Sequence, residues 1–126
     1  MWICLSGAFI SVVADRGDRS RLLVRGRVAG HIETVFPKAK VFTDESADYL
    51  YRAFVARDDV AQAVNREVQG IDYDNFKSSV PSQSLHDAYL GFWRIMHKLQ
   101  VTFQQRHFQP ATGDTANFDQ DCHANY

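Results

Sequence analysis

Alternation of apolar and polar side chains in residues 21–28 is the feature that most constrains the fold. In an extended chain Leu22, Val24 and Val28 point to one side. The other side carries three arginines, Arg21, Arg25 and Arg27, together with Leu23. A period of two with charges on one side is typical of a half-buried antiparallel strand whose second face meets water. Residues 48–57 alternate in the same way, so the chain must build a sheet with one apolar face.

The rest of the chain supplies further strands and the helices that cover that face. Strands are predicted for residues 2–14, 21–28, 40–43 and 48–57. Helices are predicted for residues 29–36, for the segment from Asp58 to Gly70, and for residues 85–103. Two successive ββα units predict an α+β fold: a four-stranded antiparallel sheet with helices on one face, plus a long C-terminal helix.

Length and composition set the size of this fold. A chain of 126 residues, 45% of them hydrophobic, suffices for one core, because domains typically contain about 100–150 residues. The last part of the chain has few aliphatic residues and contains Pro110, Gly113 and several Asn, Asp and Thr, a composition typical of mobile termini. We therefore predict a single compact α+β domain over residues 1–104 and a flexible polar tail over residues 105–126.

No apolar run approaches the length of about 20 residues that a membrane-spanning helix needs. The apolar N-terminal segment is followed, not preceded, by its first cations, Arg16 and Arg19, which is the reverse of a secretory leader. The two cysteines, Cys4 and Cys122, lie almost a chain length apart, and we expect two free thiols. These features predict a cytoplasmic protein without a membrane partner.

The charge of the chain is unevenly distributed. Residues 1–40 contain seven Lys and Arg against three Asp and Glu, and residues 41–126 contain seven against twelve. The net charge of −1 excludes a strongly basic nucleic-acid binder. The surface formed by Arg21, Arg25 and Arg27 could still hold a phosphate or single-stranded RNA, although arginines solvated and paired with neighbouring carboxylates are the commoner arrangement.

The segment Ile71–Lys77 is the most distinctive local stretch. Its carboxylates, Asp72 and Asp74, flank the phenol of Tyr73, an arrangement that could support acid–base chemistry or bind a cation. The same residue types also dock a connecting loop, because Asp and Asn cap helix ends and aromatic rings pack against neighbouring elements. We favour docking, since the segment lacks the regularly spaced oxygen ligands and the glycine of a calcium loop.

An apolar stripe runs along the predicted C-terminal helix for about five turns. It comprises Leu85, Tyr89, Phe92, Met96, Leu99 and Phe103. We expect this stripe to face the core. Trp93 lies beside it and widens it, so the helix could also contact a second copy or a partner protein.

The histidines and cysteines do not form a metal-binding pattern. His86 and His97 are eleven residues apart, which separates them by about 16 Å along a helix, too far to share an ion. The sequence contains neither a nucleophile elbow nor a glycine-rich phosphate loop. We therefore expect no metal ion and no cofactor, and we favour a protein that is not an enzyme.

Several short segments are distinctive when taken together. They are Met1–Ile3, Gly7–Ala14, Leu22–Arg27, Asp48–Arg52 and Ile71–Lys77, with Tyr89, Trp93 and Leu99. On these residues the chain resembles a family of small, uncharacterised bacterial proteins. The resemblance covers residues 1–100 and implies a single domain, but the family brings no known activity and no functional residues.

The sequence thus predicts a small non-enzymatic protein-binding or regulatory domain, with a partner protein or a second copy as its ligand. An inhibitor encoded by a phage or a plasmid, acting by protein binding, is a special case of this prediction. The first alternative is nucleic-acid or nucleotide binding through the arginine-bearing face of the sheet. The second is a small enzyme that uses Asp72, Tyr73 and Asp74.

Overall fold

The computed structural model describes residues 1–107, and within them the sheet has five antiparallel strands instead of the four predicted. The strands are β1 (Trp2–Cys4), β2 (Phe9–Ala14), β3 (Arg21–Gly26), β4 (Phe42–Thr43) and β5 (Tyr51–Ala56). The helices are α1 (His31–Val35), α2 (Arg57–Gln69) and α3 (Gln83–His107), with a short 3₁₀ helix at Phe76–Ser79. The α+β class and the antiparallel sheet are confirmed, and the strand count is corrected.

The additional strand comes from the N-terminal segment, residues 2–14, which the sequence predicts as a single strand. The chain reverses direction between Leu5 and Ala8, where the Leu5 N–H donates to the Ala8 carbonyl over 2.8 Å. Trp2 consequently pairs with Ser11. Because the residues on both sides of this turn are apolar and extended, the composition of the segment does not reveal the reversal.

The strands lie in the order β1-β2-β3-β5-β4, and every neighbouring pair is antiparallel. β3 lies at the centre and pairs with β2 on one side and with β5 on the other. β4 is only two residues long and pairs with Tyr51 and Arg52 at the start of β5. The sheet therefore ends in a very short strand at this edge.

One face of the sheet holds the hydrophobic core. Its buried side chains come from alternate positions of the three longest strands: Ile10, Val12, Val24, Ala53 and Val55. Helices α1 and α2 cover this face with Ile32, Val35, Val60 and Ala63. A Cβ on Gly26 would lie 3.3 Å from Cγ1 of Ile32, so the glycine in β3 lets α1 pack closely against the strand. The prediction that the helices pack on one face of the sheet is therefore correct for α1 and α2.

Helix α3 departs from the prediction that all helices pack on one face. The ring of Phe92 contacts those of Trp2 and Phe9, with centroid distances of 5.9 and 5.8 Å. Both partners belong to the face opposite the core residue Ile10, because successive residues of a strand point to opposite sides. Two aromatic side chains near the β1 edge thus give α3 an apolar contact on the otherwise polar face.

The chain divides into two units, residues 1–92 and residues 93–126, and α3 spans the boundary between them. This helix extends to His107, beyond the predicted end of the compact domain at residue 104. The remainder of the predicted tail, residues 108–126, lies outside the described residues, as does Cys122.

Candidate functional site

The predicted arginines gather around β3 and β5. Arg21 and Arg25 lie on the face of the sheet opposite the core, and Arg27 directly follows the last residue of β3. Arg52 of β5 is the register partner of Arg25. We refer to these four residues as the arginine surface. Like charges placed directly opposite each other in a sheet repel, so neighbouring groups must offset their repulsion.

Tyr49 is one of these groups. Its side chain is 3% exposed, and its ring centroid lies 4.5 Å from Cζ of Arg25 and 4.0 Å from Cζ of Arg27. The face of an aromatic ring attracts a guanidinium group, by about 1–2 kcal/mol where water is partly excluded. β5 begins only at Tyr51, so Tyr49 lies in the loop before the strand and is not bound by its alternation. For this reason the sequence does not reveal the contact.

Carboxylates accompany three of the four arginines. The pairs are Arg21–Asp15, Arg27–Asp48 and Arg52–Asp44. The pKa of Asp15 lies below its ordinary value because the carboxylate accepts the Gly17 N–H and pairs with the Arg21 guanidinium. The pKa of Asp44 is lowered by the hydroxyl and the N–H of Ser46, which both donate to it. The arginine surface therefore carries a nearly balanced charge at neutral pH.

Arg25 is held differently. Its Nη2 donates to the hydroxyl of the fully buried Ser11 over 2.8 Å. Its Nε is buried and has no hydrogen-bond partner within the described part of the chain. No carboxylate of residues 1–107 forms an ion pair with this arginine. A ring and a hydroxyl, instead of an opposite charge, hold Arg25 in place.

Two exposed phenylalanines border the arginine surface. The rings of Phe42 and Phe54 stack with their centroids 5.8 Å apart, and both side chains are 42% exposed. Cζ of Arg21 lies 4.2 Å from the Phe54 centroid. Neither ring is among the site residues predicted from the sequence, although an aromatic residue on the polar side of an alternating strand is a signal that could have identified Phe54.

The segment Ile71–Lys77 contacts α3 through its aromatic rings. The Phe76 centroid lies 5.1 Å from that of Tyr89 and 5.8 Å from that of Tyr73. The side chain of Asn75 accepts the Lys77 N–H and so caps the 3₁₀ helix. This geometry agrees with the docking interpretation of the segment.

Asp72 and Asp74, the two carboxylates of the same segment, are exposed. Together with Tyr73, they line neither of the two grooves described below.

The second half of α3 carries large apolar side chains that are exposed instead of facing the core. They are Trp93, Ile95, Met96, Leu99 and Phe103, each between 44% and 68% exposed. The Trp93 ring stacks on the imidazole of His97 with a centroid distance of 5.2 Å. A groove of about 450 Å³ lies among Trp93, Met96, His97, Leu99, Gln100 and Phe103. We refer to Trp93, Met96, Leu99 and Phe103 as the α3 stripe.

A larger groove, of about 610 Å³, lies beside β5. It is lined by residues 54–56 of that strand, by Val35 at the end of α1 and residues 36–40 after it, and by Asp59, Gln62 and Arg66 of α2. We refer to it as the β5 groove. The sequence does not predict this groove, since a groove at a sheet edge depends on how far the neighbouring strand extends.

Among residues 1–107, no group of three or more His, Cys, Asp or Glu side chains could hold a metal ion. His31 has a structural contact instead, because its Nδ1 accepts the Phe9 N–H over 3.1 Å. Cys4 is an exposed free thiol. These residues thus add no metal site to the surfaces described above.

Comparisons with protein-family models, with curated protein sequences and with solved structures give no match. Within the described residues, no helix combines the length and apolar character needed to cross a membrane.

Proposed function

We propose that this protein is a small non-enzymatic protein-binding domain that pairs with a second copy of itself through the α3 stripe. The exposure of this stripe carries the proposal. Contiguous apolar patches of several hundred Å² on a protein surface mark interaction sites, and four large side chains about half exposed amount to about 500 Å². Covering them removes apolar surface from water, which is the main favourable term in association.

The charge pattern of α3 favours a second copy as the occupant. Successive residues of a helix are rotated by 100°, so Arg94 and Lys98 lie on the side opposite Met96. Gln100 lies within the stripe and Ile95 and His97 flank it, so none of these positions is a Lys, Arg, Asp or Glu. Two identical stripes can therefore meet without like-charge repulsion. The three- and four-residue spacing of Met96, Leu99 and Phe103 is also that of a coiled-coil seam, in which the side chains of each helix fit between those of the other.

Arg106 favours an antiparallel arrangement of the two helices. A parallel pair would bring the two Arg106 side chains together near the end of the seam. An antiparallel pair centred on Lys98 separates them by about 24 Å along the helix axis and places Trp93 of one copy opposite Phe103 of the other. Such a pair buries about 1,000 Å² in total, the lower bound for a specific interface.

The arginine surface supports a protein partner in preference to a nucleic acid. Nucleic-acid affinity comes largely from cations that neutralise phosphates, whereas Arg21, Arg27 and Arg52 already have carboxylate neighbours. Arginine and aromatic side chains are enriched at protein–protein interfaces. The nucleic-acid alternative predicts salt-sensitive binding of single-stranded RNA that is lost on Arg25→Ala, and absence of binding at low salt would remove it.

Light scattering during size-exclusion chromatography of the full chain tests the self-association. We expect a mass near twice 14.4 kDa at protein concentrations up to about 200 μM. Met96→Glu places a carboxylate in the seam of both copies and should reduce the mass to that of one chain. The far-UV circular dichroism of the variant should stay unchanged, because Met96 is 59% exposed.

Gln105→Glu is the matched control. It introduces the same carboxylate, but nine residues after Met96, on the opposite side of α3, at an exposed position. We expect this variant to remain dimeric. A wild-type protein that stays at the mass of one chain throughout the concentration range, or a dimer that survives Met96→Glu, would contradict the proposal.

A further inference from the structure

The outer side of β5 is only partly paired. β4 pairs with Tyr51 and Arg52, and within residues 1–107 no strand pairs on that side with residues 53–56. On the inner side, β3 pairs with β5 as far as Ala56. The unpaired stretch therefore keeps its extended conformation, and an extended strand with a free edge is a template for a further strand.

Phe54 directs its backbone N–H and C=O towards this free side. The Leu50 carbonyl accepts the Asp44 N–H over 2.9 Å, and Arg52 pairs with Phe42 of β4. The direction of hydrogen bonding in a strand repeats every two residues, so Phe54 faces the same side as Leu50 and Arg52. No described residue forms a backbone hydrogen bond with Phe54 on this side.

The β5 groove supplies the space for an additional strand. Its volume of about 610 Å³ falls within the range of about 300–1,000 Å³ that is typical of ligand sites. Phe36, Pro37 and Ala39 contribute apolar surface to it, and the half-exposed ring of Phe54 lies at its margin. A segment lying there would contact apolar groups as well as the free edge of β5.

The charged side chains around the β5 groove are mainly basic. Lys38, Lys40 and Arg66 line it, against a single carboxylate, Asp59. All four are exposed, and among the described residues none of the three cations forms an ion pair. The groove thus carries two positive charges more than negative ones, in contrast to the balanced arginine surface.

We propose that the β5 groove binds an extended, acidic segment of another protein, which adds to the sheet as a strand beside β5. The backbone groups of Phe54 supply hydrogen bonds that do not depend on sequence, and Lys38, Lys40 and Arg66 select acidic side chains. This is the mode in which a sheet edge gives affinity through the main chain and specificity through alternate side chains.

The same charges argue against a second copy at this edge. Edge-to-edge pairing of two β5 strands would bring Lys38 and Lys40 of both copies close together, and lysines beside a free edge are a common protection against such pairing. The β5 groove also shares no lining residue with the groove of the α3 stripe. The monomeric variant Met96→Glu should therefore bind the same segment with unchanged affinity.

Fluorescence anisotropy of the full chain with two labelled peptides tests the proposal. Each peptide has about six residues, the length of a typical strand, alternating Thr with Glu in one and Thr with Lys in the other. We expect the Glu peptide to bind at least about tenfold more tightly, with an affinity that falls as salt is added.

Charge-reversal variants locate the binding. The double variant Lys38→Glu, Lys40→Glu should lower the affinity for the Glu peptide by at least about tenfold. The variant Lys98→Glu, on α3, should leave this affinity unchanged. Equal loss in both proteins would show attraction by overall charge and would overturn the proposed site.

Backbone readouts separate strand addition from simple ion pairing. Methylation of the peptide nitrogens at one set of alternate positions should abolish binding, and methylation of the other set should not, because only alternate N–H groups face β5. Hydrogen exchange of the Phe54 amide should slow when the peptide is added. Equal effects of both methylated peptides, an unprotected Phe54 amide, or no binding of the Glu peptide would refute strand addition and leave the lysines as protection of the edge.

Discussion

The hydroxyl of Tyr89 lies 2.8 Å from the carbonyl oxygen of Ala8, to which it donates, and joins α3 to the turn between β1 and β2. The same hydroxyl lies 2.9 Å from the Leu5 carbonyl, and the Tyr89 side chain is 4% exposed. Donor and acceptor are 81 residues apart in the chain. One phenol thus connects the first hairpin with the last helix.

Tyr89→Phe should destabilise the protein by about 1–2 kcal/mol, because it removes the hydroxyl that donates to the buried Ala8 carbonyl. The shift of the urea midpoint, followed by circular dichroism, measures this loss. Tyr73→Phe is the matched control, since Tyr73 is more exposed and packs on Phe76 through its ring. Equal midpoints for the Tyr89→Phe variant and the wild type would contradict the structural role of the hydroxyl.

The Tyr89 phenol should also make the fold sensitive to alkaline pH. Burial raises the pKa of Tyr89 well above its ordinary value of 10.0. The unfolded chain therefore loses this proton first, and the stabilisation is fully present below pH 10.0 and lost as the pH rises through the folded pKa. Unfolding in urea between about pH 8 and pH 11 should show a steeper loss of stability in wild type than in Tyr89→Phe. The other tyrosines are common to both proteins, so parallel curves would assign the alkaline loss to them instead.

Acid should weaken the turn that leads into β3. The pKa of Asp15 is lowered by the hydrogen bond from the Gly17 N–H and by Arg21, so its contribution is present above the ordinary pKa of 3.8 and is lost as the pH falls through the folded value. Asp15→Asn should therefore lose less stability than wild type between about pH 5 and pH 2. Asp72→Asn, at an exposed position, serves as control and should follow the wild-type curve.

Part of the candidate site can be predicted from the sequence, because it depends only on alternation within one strand. Arg21 and Arg25 are on the polar side of a period-two pattern, and the structure places them opposite the core. The residues that contact these two arginines cannot be predicted in the same way. Tyr49 meets Arg25 from a loop before β5, and the register between β3 and β5 brings Arg52 opposite Arg25. Contacts across strands depend on which residues the sheet aligns.

The sequence by itself determined the local elements: the alternating strands β3 and β5, the amphipathic helices α2 and α3, and the α+β class that follows from their order. These depend on periodicities within about ten residues. Only the tertiary structure decided the outcomes that require distant segments to meet. The N-terminal strand folds back on itself, and α3 contacts the polar face through Phe92. β4 begins only at Phe42, opposite Arg52, and leaves Phe54 with a free edge. Each of these three outcomes depends on how much surface distant segments bury when they pack together. The sequence of a single segment does not contain that information.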